Sequence, residues 1–162
     1  MTDACLAPLP TDCKVRVLLV DDQQIIVEAV RGMLAGQADL EFHYVSDSSY
    51  AEVSAERIAP SVILQDLVMP DIDGFSLIRY YRDNDKLRHV PVIVLSAKED
   101  SKLKAQAYAA GANDYMVKLP DQQELLARLR YHSDAYYCRL QRDEALAQLR
   151  ACRQLLAAAT KN

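Results

Sequence analysis

The run Val62-Ile63-Leu64-Gln65-Asp66-Leu67-Val68-Met69-Pro70-Asp71-Ile72-Asp73-Gly74 decides how the rest of the chain is read. Its first residues are mostly β-branched or apolar and lead straight into Asp66, after which Met69-Pro70 and Asp73-Gly74 break the run. That is a buried strand ending in a carboxylate, followed by a loop in which no helix starts before the proline. In an open α/β sheet ligands bind outside the carboxyl ends of the strands, so Asp66 is delivered to where chemistry takes place. A polar residue at a strand end is common, and only the remaining strands can give Asp66 a meaning.

Working outward, Val15 to Val20 is an almost wholly apolar run, as expected for a strand buried on both faces, and it ends at Asp21-Asp22. Ile26, Ala29, Val30, Met33 and Leu34 then share one helical face that stops near Gly36. Leu40 to Val45 reads as a second strand whose alternating Glu41 and His43 suit a sheet edge. Ser48 or Ser49 is positioned to cap a second helix to about Ile58, and Pro60 forces an exit before the Val62–Asp66 strand. A third helix runs from about Phe75 to Arg82, burying Phe75, Ile78 and Leu77. Pro91 to Leu95 is a fourth strand ending at Ser96, residues 101–110 a weakly amphipathic helix closed by Gly111, and Tyr115 to Val117 a fifth strand ending at Lys118. Asp121 can cap a last helix whose inner face begins with Leu125, Leu126 and Leu129. Strands alternating with helices over short connections give an α/β, flavodoxin-like (βα)5 doubly wound parallel sheet, strand order 2-1-3-4-5, with an extended C-terminal helix.

The 162 residues, about half of them apolar, suffice for one domain with a proper core. A net charge of −4 with no lysine or arginine block argues against a nucleic-acid surface. No apolar run is long enough to cross a bilayer and no signal-peptide pattern opens the chain, so the expected location is cytoplasmic. Cys5, Cys13, Cys138 and Cys152 form no CxxC pair and read as free thiols; His43, His89 and His132 lack metal-ligand spacing.

Every strand of such a sheet points the same way, so Asp21, Asp22, Asp66, Ser96 and Lys118 collect at one edge. Three carboxylates held close repel one another, and burial without a partner raises their pKa values. The Lys118 ammonium and a divalent cation would relieve that, and an all-oxygen site with few protein ligands suits Mg²⁺. A metal-bound carboxylate beside a lysine and a hydroxyl is a place to accept a phosphoryl group. Each residue has a plainer reading as a helix cap, strand end or surface charge, but their coincidence at four strand ends of one sheet is hard to produce by chance.

Leu-Leu-Val-Asp-Asp at 18–22, Asp-Leu-Val-Met-Pro-Asp-Ile-Asp-Gly at 66–74, Val-Leu-Ser-Ala at 94–97 and Ala-Gly-Ala-Asn-Asp-Tyr-Met-Val-Lys at 110–118 make residues 14–130 resemble the receiver domain of two-component response regulators. The resemblance implies that Asp66 accepts a phosphoryl group from a phosphohistidine of a sensor histidine kinase. It also implies that Asp22 and Asp66 ligate Mg²⁺ directly, Asp21 through water, and the Val68 backbone carbonyl completes the set. Lys118 would contact the phosphoryl group, Ser96 would shift towards it, and Tyr115 would rotate inward behind Ser96 as the switch. Receivers usually carry proline directly after the lysine, in a cis bond; here the order is Lys118-Leu119-Pro120. Either Lys118–Leu119 is cis or the loop solves the geometry differently. An aspartyl-phosphate hydrolase of the haloacid dehalogenase type needs a second aspartate where this chain has Val68. A pseudo-receiver, an interaction module that is never phosphorylated, would typically lose one of the acidic residues or the lysine.

From Asp121 to about Ala158 no glycine or proline interrupts the helix, roughly 55 Å at 1.5 Å per residue. Isolated helices are marginal, so a partner helix is expected, and Tyr136, Leu140, Leu146, Leu149, Cys152 or Arg153, and Leu156 are seam candidates, with Asp143 breaking a strict heptad. The expected organisation is a disordered leader over 1–13, a receiver domain over 14–132 and a helical stalk over 133–162, forming a homodimer through helix five and its extension. Val-Ile-Leu-Gln-Asp-Leu-Val-Met-Pro, Val-Lys-Leu-Pro and Arg-Tyr-His-Ser at 130–133 further resemble the Wsp-type regulators of surface-sensing systems, which carry a diguanylate cyclase (GGDEF) output domain after such a stalk. No Gly-Gly-Asp/Glu-Glu-Phe occurs in this sequence, so the chain itself is expected not to be an enzyme, and a stand-alone regulator is the alternative organisation.

Overall fold

The sheet runs β2-β1-β3-β4-β5, all neighbours parallel, which is the order expected from the sequence. The structure, a computed structural model, describes residues 13–160. The expected leader over 1–13 therefore lies outside the described residues except for Cys13, as does Cys5. The strands are β1 (Val15–Val20), β2 (Leu40–Val45), β3 (Val62–Asp66), β4 (Val92–Ser96) and β5 (Asp114–Val117). The helices between and after them are α1 (Gln24–Leu34), α2 (Ala51–Ile58), α3 (Gly74–Asp83), α4 (Ser101–Ala110) and α5 (Gln122–Ala159).

The near-continuous apolar runs follow from burial on both faces of the sheet. Successive side chains of a strand point to opposite faces. Val15, Val17 and Leu19 of β1 thus join Ile26, Val27 and Val30 of α1 and Leu125 and Leu129 of α5. Leu18 and Val20 join Ala55 of α2, Leu77, Ile78 and Tyr81 of α3 and Ala107 of α4. On α1 the buried set is Ile26, Val27, Val30 and Leu34, so Val27 replaces the expected Ala29 and Met33, which sit at the half-buried margin. Phe75 is likewise marginal, while Tyr81 is fully buried. Helix α4 buries only Ala107, in keeping with its weak apolar face.

Asp47, rather than Ser48 or Ser49, makes the turn that leads into α2. Its carboxylate accepts from the Ser49 N–H at 2.9 Å and starts a short 3-10 turn over Ser48–Tyr50. A carboxylate two residues ahead of a free N–H outcompetes a hydroxyl for that role. Asp73, Asp100 and Asp121 cap α3, α4 and α5 in the same manner.

Helix α5 stays on the body for its first four turns. Arg130 pairs with Asp39 at 2.8 Å, Ser133 donates to Ser61 at 2.7 Å, and the Tyr137 hydroxyl donates to the Lys14 carbonyl at 2.9 Å. From residue 142 to 159 every side chain is exposed, Leu146, Leu149, Leu155 and Leu156 among them. No helix among the described residues is long and apolar enough to cross a membrane. Cys13, Cys138 and Cys152 are free and exposed.

Candidate functional site

Parallel strands bring their C-terminal ends to one edge, and there Asp21, Asp22 and Asp66 each offer an oxygen within 4.8 Å of the others. Asp21 and Asp66 are almost fully buried, whereas Asp22 is the more exposed of the three. Lys118, one residue past β5, extends its ammonium between the buried pair, 2.9 Å from Asp21 Oδ2 and 3.2 Å from Asp66 Oδ1. Both contacts are ion pairs without the alignment of a hydrogen bond, and Asp21 Oδ2 and Asp66 Oδ2 have no hydrogen-bond partner. Asp21 Oδ1 is engaged by the Gln23 N–H at 2.9 Å, so this residue shapes the β1–α1 loop and faces the site at once.

One lysine does not balance two buried carboxylates. Burial and the nearby Asp21 charge hold the Asp66 carboxyl above its usual range, against the opposing pull of Lys118 and the Val68 N–H. Burial works against the Lys118 ammonium, but Asp21 and Asp66 outweigh it and its pKa is raised. The site therefore keeps a surplus of negative charge and donor-poor buried oxygens, the chemistry of a hard cation's ligands. Three carboxylates in this arrangement fit Mg²⁺.

The loop after β3 folds back over the carboxylate. The Val68 N–H approaches Asp66 Oδ1 at 3.4 Å, which sets the Val68 peptide beside the site and leaves its side chain in solvent. Gly74 makes this possible: an added Cβ would stand 2.3 Å from the Asp66 carbonyl oxygen and 2.7 Å from Leu67 Cα. Across the sheet, Asp66 is paired with Leu95, and Ser96 follows it. Ser96 Oγ accepts from the Lys98 N–H at 3.4 Å, and the Lys98 carbonyl accepts from the Tyr115 hydroxyl at 2.7 Å. Tyr115 is buried in this arrangement, with the Lys104 ammonium 5.9 Å from its ring centre. The Lys98 backbone thus bridges Ser96 to Tyr115.

The Lys118-Leu119-Pro120 loop takes the second of the two solutions open to the sequence. No cis peptide bond occurs among the described residues, and Leu119 instead adopts φ 56°, a left-handed backbone held by the Lys118 N–H donating to the Ser96 carbonyl at 2.6 Å.

Asp21, Asp22, Asp66 and Lys118 are thus brought together, with the Val68 peptide alongside and Ser96 and Tyr115 joined through Lys98. Sequence reading did not single out Gly74 as a packing contact, Gln65 as a buried polar group, or Asp114. The last accepts from Arg128 at 2.6 Å and faces His132 at 3.1 Å, tying β5 to α5. The signal for Gln65 was present as the one uncharged polar residue in an otherwise apolar strand run.

Residues 17–130 match the response regulator receiver domain, and the chain belongs to that family. Its members are signalling modules that receive phosphate from histidine kinases. Among curated relatives, the response regulator PleD of Caulobacter vibrioides is 35% identical over 118 residues, covering 71% of this chain and 25% of that protein. The transcriptional regulatory protein PhoP of Escherichia coli is 32% identical over 114 residues, covering 70% of this chain and 50% of PhoP. The chain spans a quarter to a half of the length of these relatives. Among solved structures, the receiver domain of a sensor histidine kinase from Pseudomonas aeruginosa, with a magnesium ion coordinated in its active-site cleft, is 30% identical at a TM-score of 0.68, covering 75% of this chain and 98% of that one. A response regulator receiver domain from Francisella matches with a TM-score of 0.68 at 25% identity, covering 75% of this chain and 98% of that one.

Proposed function

We propose that this chain is a phospho-accepting receiver acting in the cytoplasm, with Asp66 as the acceptor. The observation that carries this reading is the Lys118 ammonium shared between Asp21 and Asp66 beside a buried Asp66 oxygen that has no donor. A carboxylate oxygen of Asp66 attacks the phosphorus of a kinase phosphohistidine. The P–O bond forms as the P–N bond breaks, and the imidazole leaves. Lys118 neutralises charge on the transferred group, and the Val68 N–H and Lys118 hold the acceptor carboxylate in place. Asp22 and Asp66 would hold Mg²⁺ directly, Asp21 through water, with the Val68 carbonyl completing the set; when bound, the ion supplies positive charge to the phosphoryl oxygens.

A phosphoryl group brings negative charge and acceptor oxygens that the present Ser96 arrangement does not serve. Drawing the Ser96 hydroxyl towards it breaks the bond to the Lys98 N–H, and the Lys98 backbone transmits that change to Tyr115. The consequence falls on β5 and, through Asp114, on α5.

The receiver occupies 14–132 and the stalk 133–162, the first turn of the stalk still resting on the body through Tyr137. Two copies pair through α5, which would cover the exposed leucines beyond residue 142. In a full-length protein of the Wsp type this stalk would control a diguanylate cyclase. The acceptor is tested with radiolabelled phospho-kinase followed by hydroxylamine. An acyl phosphate on Asp66 is cleaved by hydroxylamine and leaves a hydroxamate at that position; a label that resists hydroxylamine, or one retained by Asp66→Asn, overturns the reading.

A further inference from the structure

Gln65 is fully buried, and so is Tyr81 of α3, 16 residues further along the chain. The Tyr81 hydroxyl donates to Gln65 Oε1 at 3.0 Å, and Gln65 Nε2 donates to the Asp66 backbone carbonyl at 2.8 Å. Burial holds the Tyr81 hydroxyl well above its usual pKa, so it remains a donor. A primary amide and a phenol in an apolar layer are costly unless paired, and a methionine and a phenylalanine would fill the same volume without that demand. The far end of this chain of hydrogen bonds is the main chain of the acceptor itself. The same peptide is closely approached by Gly74, at the start of the same helix that carries Tyr81.

We infer that Gln65 and Tyr81 are positioning residues: a buried relay from α3 that fixes the orientation of the Asp66–Leu67 peptide and, through it, the aim of the Asp66 carboxylate. The inference rests on Asp66 being the acceptor. Neither residue touches the transferred group. Their effect arises because the direction of a short side chain follows the plane of its own peptide, and an error near 1 Å in a reacting group can slow a reaction about 100-fold. It also ties the acceptor to the seating of α3, so a partner that displaces α3 would alter the rate at which Asp66 is phosphorylated.

The test compares the full chain with Gln65→Met, Tyr81→Phe and the double variant. Three quantities are measured: the initial rate of Asp66 labelling by acetyl phosphate at saturating Mg²⁺, the melting temperature, and the Leu67 amide nitrogen resonance, which reports on hydrogen bonding to the Asp66 carbonyl. Gln65→Met should move the Leu67 resonance and slow labelling roughly tenfold. The double variant removes the phenol and the amide together and leaves only the Asp66 carbonyl short of its Gln65 donor, so it should melt near the parent temperature while labelling stays slow. A stable double variant that labels at the parent rate overturns the inference, because the pair would then serve the core alone. An unmoved Leu67 resonance in Gln65→Met overturns it whatever the labelling rate. If the parent takes no label from acetyl phosphate or from a phosphorylated histidine kinase while that resonance moves, the acceptor assignment fails and the control of this peptide by the relay is supported.

Discussion

Replacing Gly74 by alanine strikes the point where the acceptor loop is most tightly packed. The new Cβ would lie 2.3 Å from the Asp66 carbonyl oxygen, 2.7 Å from Leu67 Cα and 3.1 Å from the Asp66 carbonyl carbon, all of them backbone atoms. Ordinary contact begins near 3.4 Å, so α3 and the end of β3 must part by about 1 Å. No rotamer change can absorb this. The Gly74 N–H, which donates to the Leu67 carbonyl at 3.2 Å, is carried away with the displacement. Overpacking commonly costs about 1–3 kcal/mol, and a clash between two main-chain segments belongs at the upper end. For a chain of this size that lowers the melting temperature by about 6–12 °C. The same displacement moves Asp66 off its aim and should slow its phosphorylation about 100-fold. Gly32 is the control: it lies within α1, nothing stands within 4 Å of its added Cβ, and Gly32→Ala should raise stability by about 0.5–1 kcal/mol. Both variants are read by thermal melts and by acetyl phosphate labelling. A Gly74→Ala protein that melts within about 2 °C of the parent and labels at the parent rate would refute the close-approach argument.

Three further outcomes follow from other parts of the molecule. Burial pushes the Asp114 carboxyl upward, but its bonds to Arg128 and His132 outweigh this and hold it below its usual range. Its stabilisation is therefore fully present above the unfolded-state value near 3.8 and is lost as pH falls through the lower folded value. Asp114→Asn should cost about 1.5–2 kcal/mol in urea unfolding at pH 7, with the gap closing as pH falls below the unfolded-state value; an equal gap at pH 7 and at the acid end would contradict the assignment. Leu119 holds a left-handed backbone and is 55% exposed, so Leu119→Gly should be neutral or stabilising by up to about 1 kcal/mol, and a loss above about 1 kcal/mol would show that the leucine side chain matters. Ending the chain after residue 137 removes the exposed leucines of α5 while keeping the contacts to Asp39, Ser61 and Lys14. A folded monomer by light scattering is expected, and an unchanged dimer would place the interface on the receiver body.

The architecture was legible because its signals are local. Apolar runs ending in Asp21, Asp66, Ser96 and Lys118 declare both the strands and the edge where they finish, and parallel topology assembles those residues without further information. The uninterrupted α5 was legible for the same reason, since no glycine or proline stops it. What the sequence left open depends on contacts between distant segments. Pro120 announces an unusual loop, yet only the geometry around the Ser96 carbonyl shows a left-handed Leu119 with a trans bond. Gly74 reads as a turn residue, while its tightness against Asp66 is set by how α3 packs on β3. Gln65 is visible as an anomaly, but Tyr81 cannot be named as its partner from spacing. The point at which α5 leaves the body is fixed by Tyr137 meeting Lys14, a pairing across most of the chain.

The central claim is that Asp66 accepts a phosphoryl group in the pocket made by Asp21, Asp22 and Lys118. Intact-protein mass after incubation with acetyl phosphate and Mg²⁺, run beside Asp66→Asn and a sample in EDTA, tests it most directly. One phosphoryl adduct is expected on the parent, none on the variant and none without the metal. An adduct that persists on Asp66→Asn, or a parent that binds Mg²⁺ and takes no adduct from acetyl phosphate or a phosphorylated histidine kinase, would contradict it.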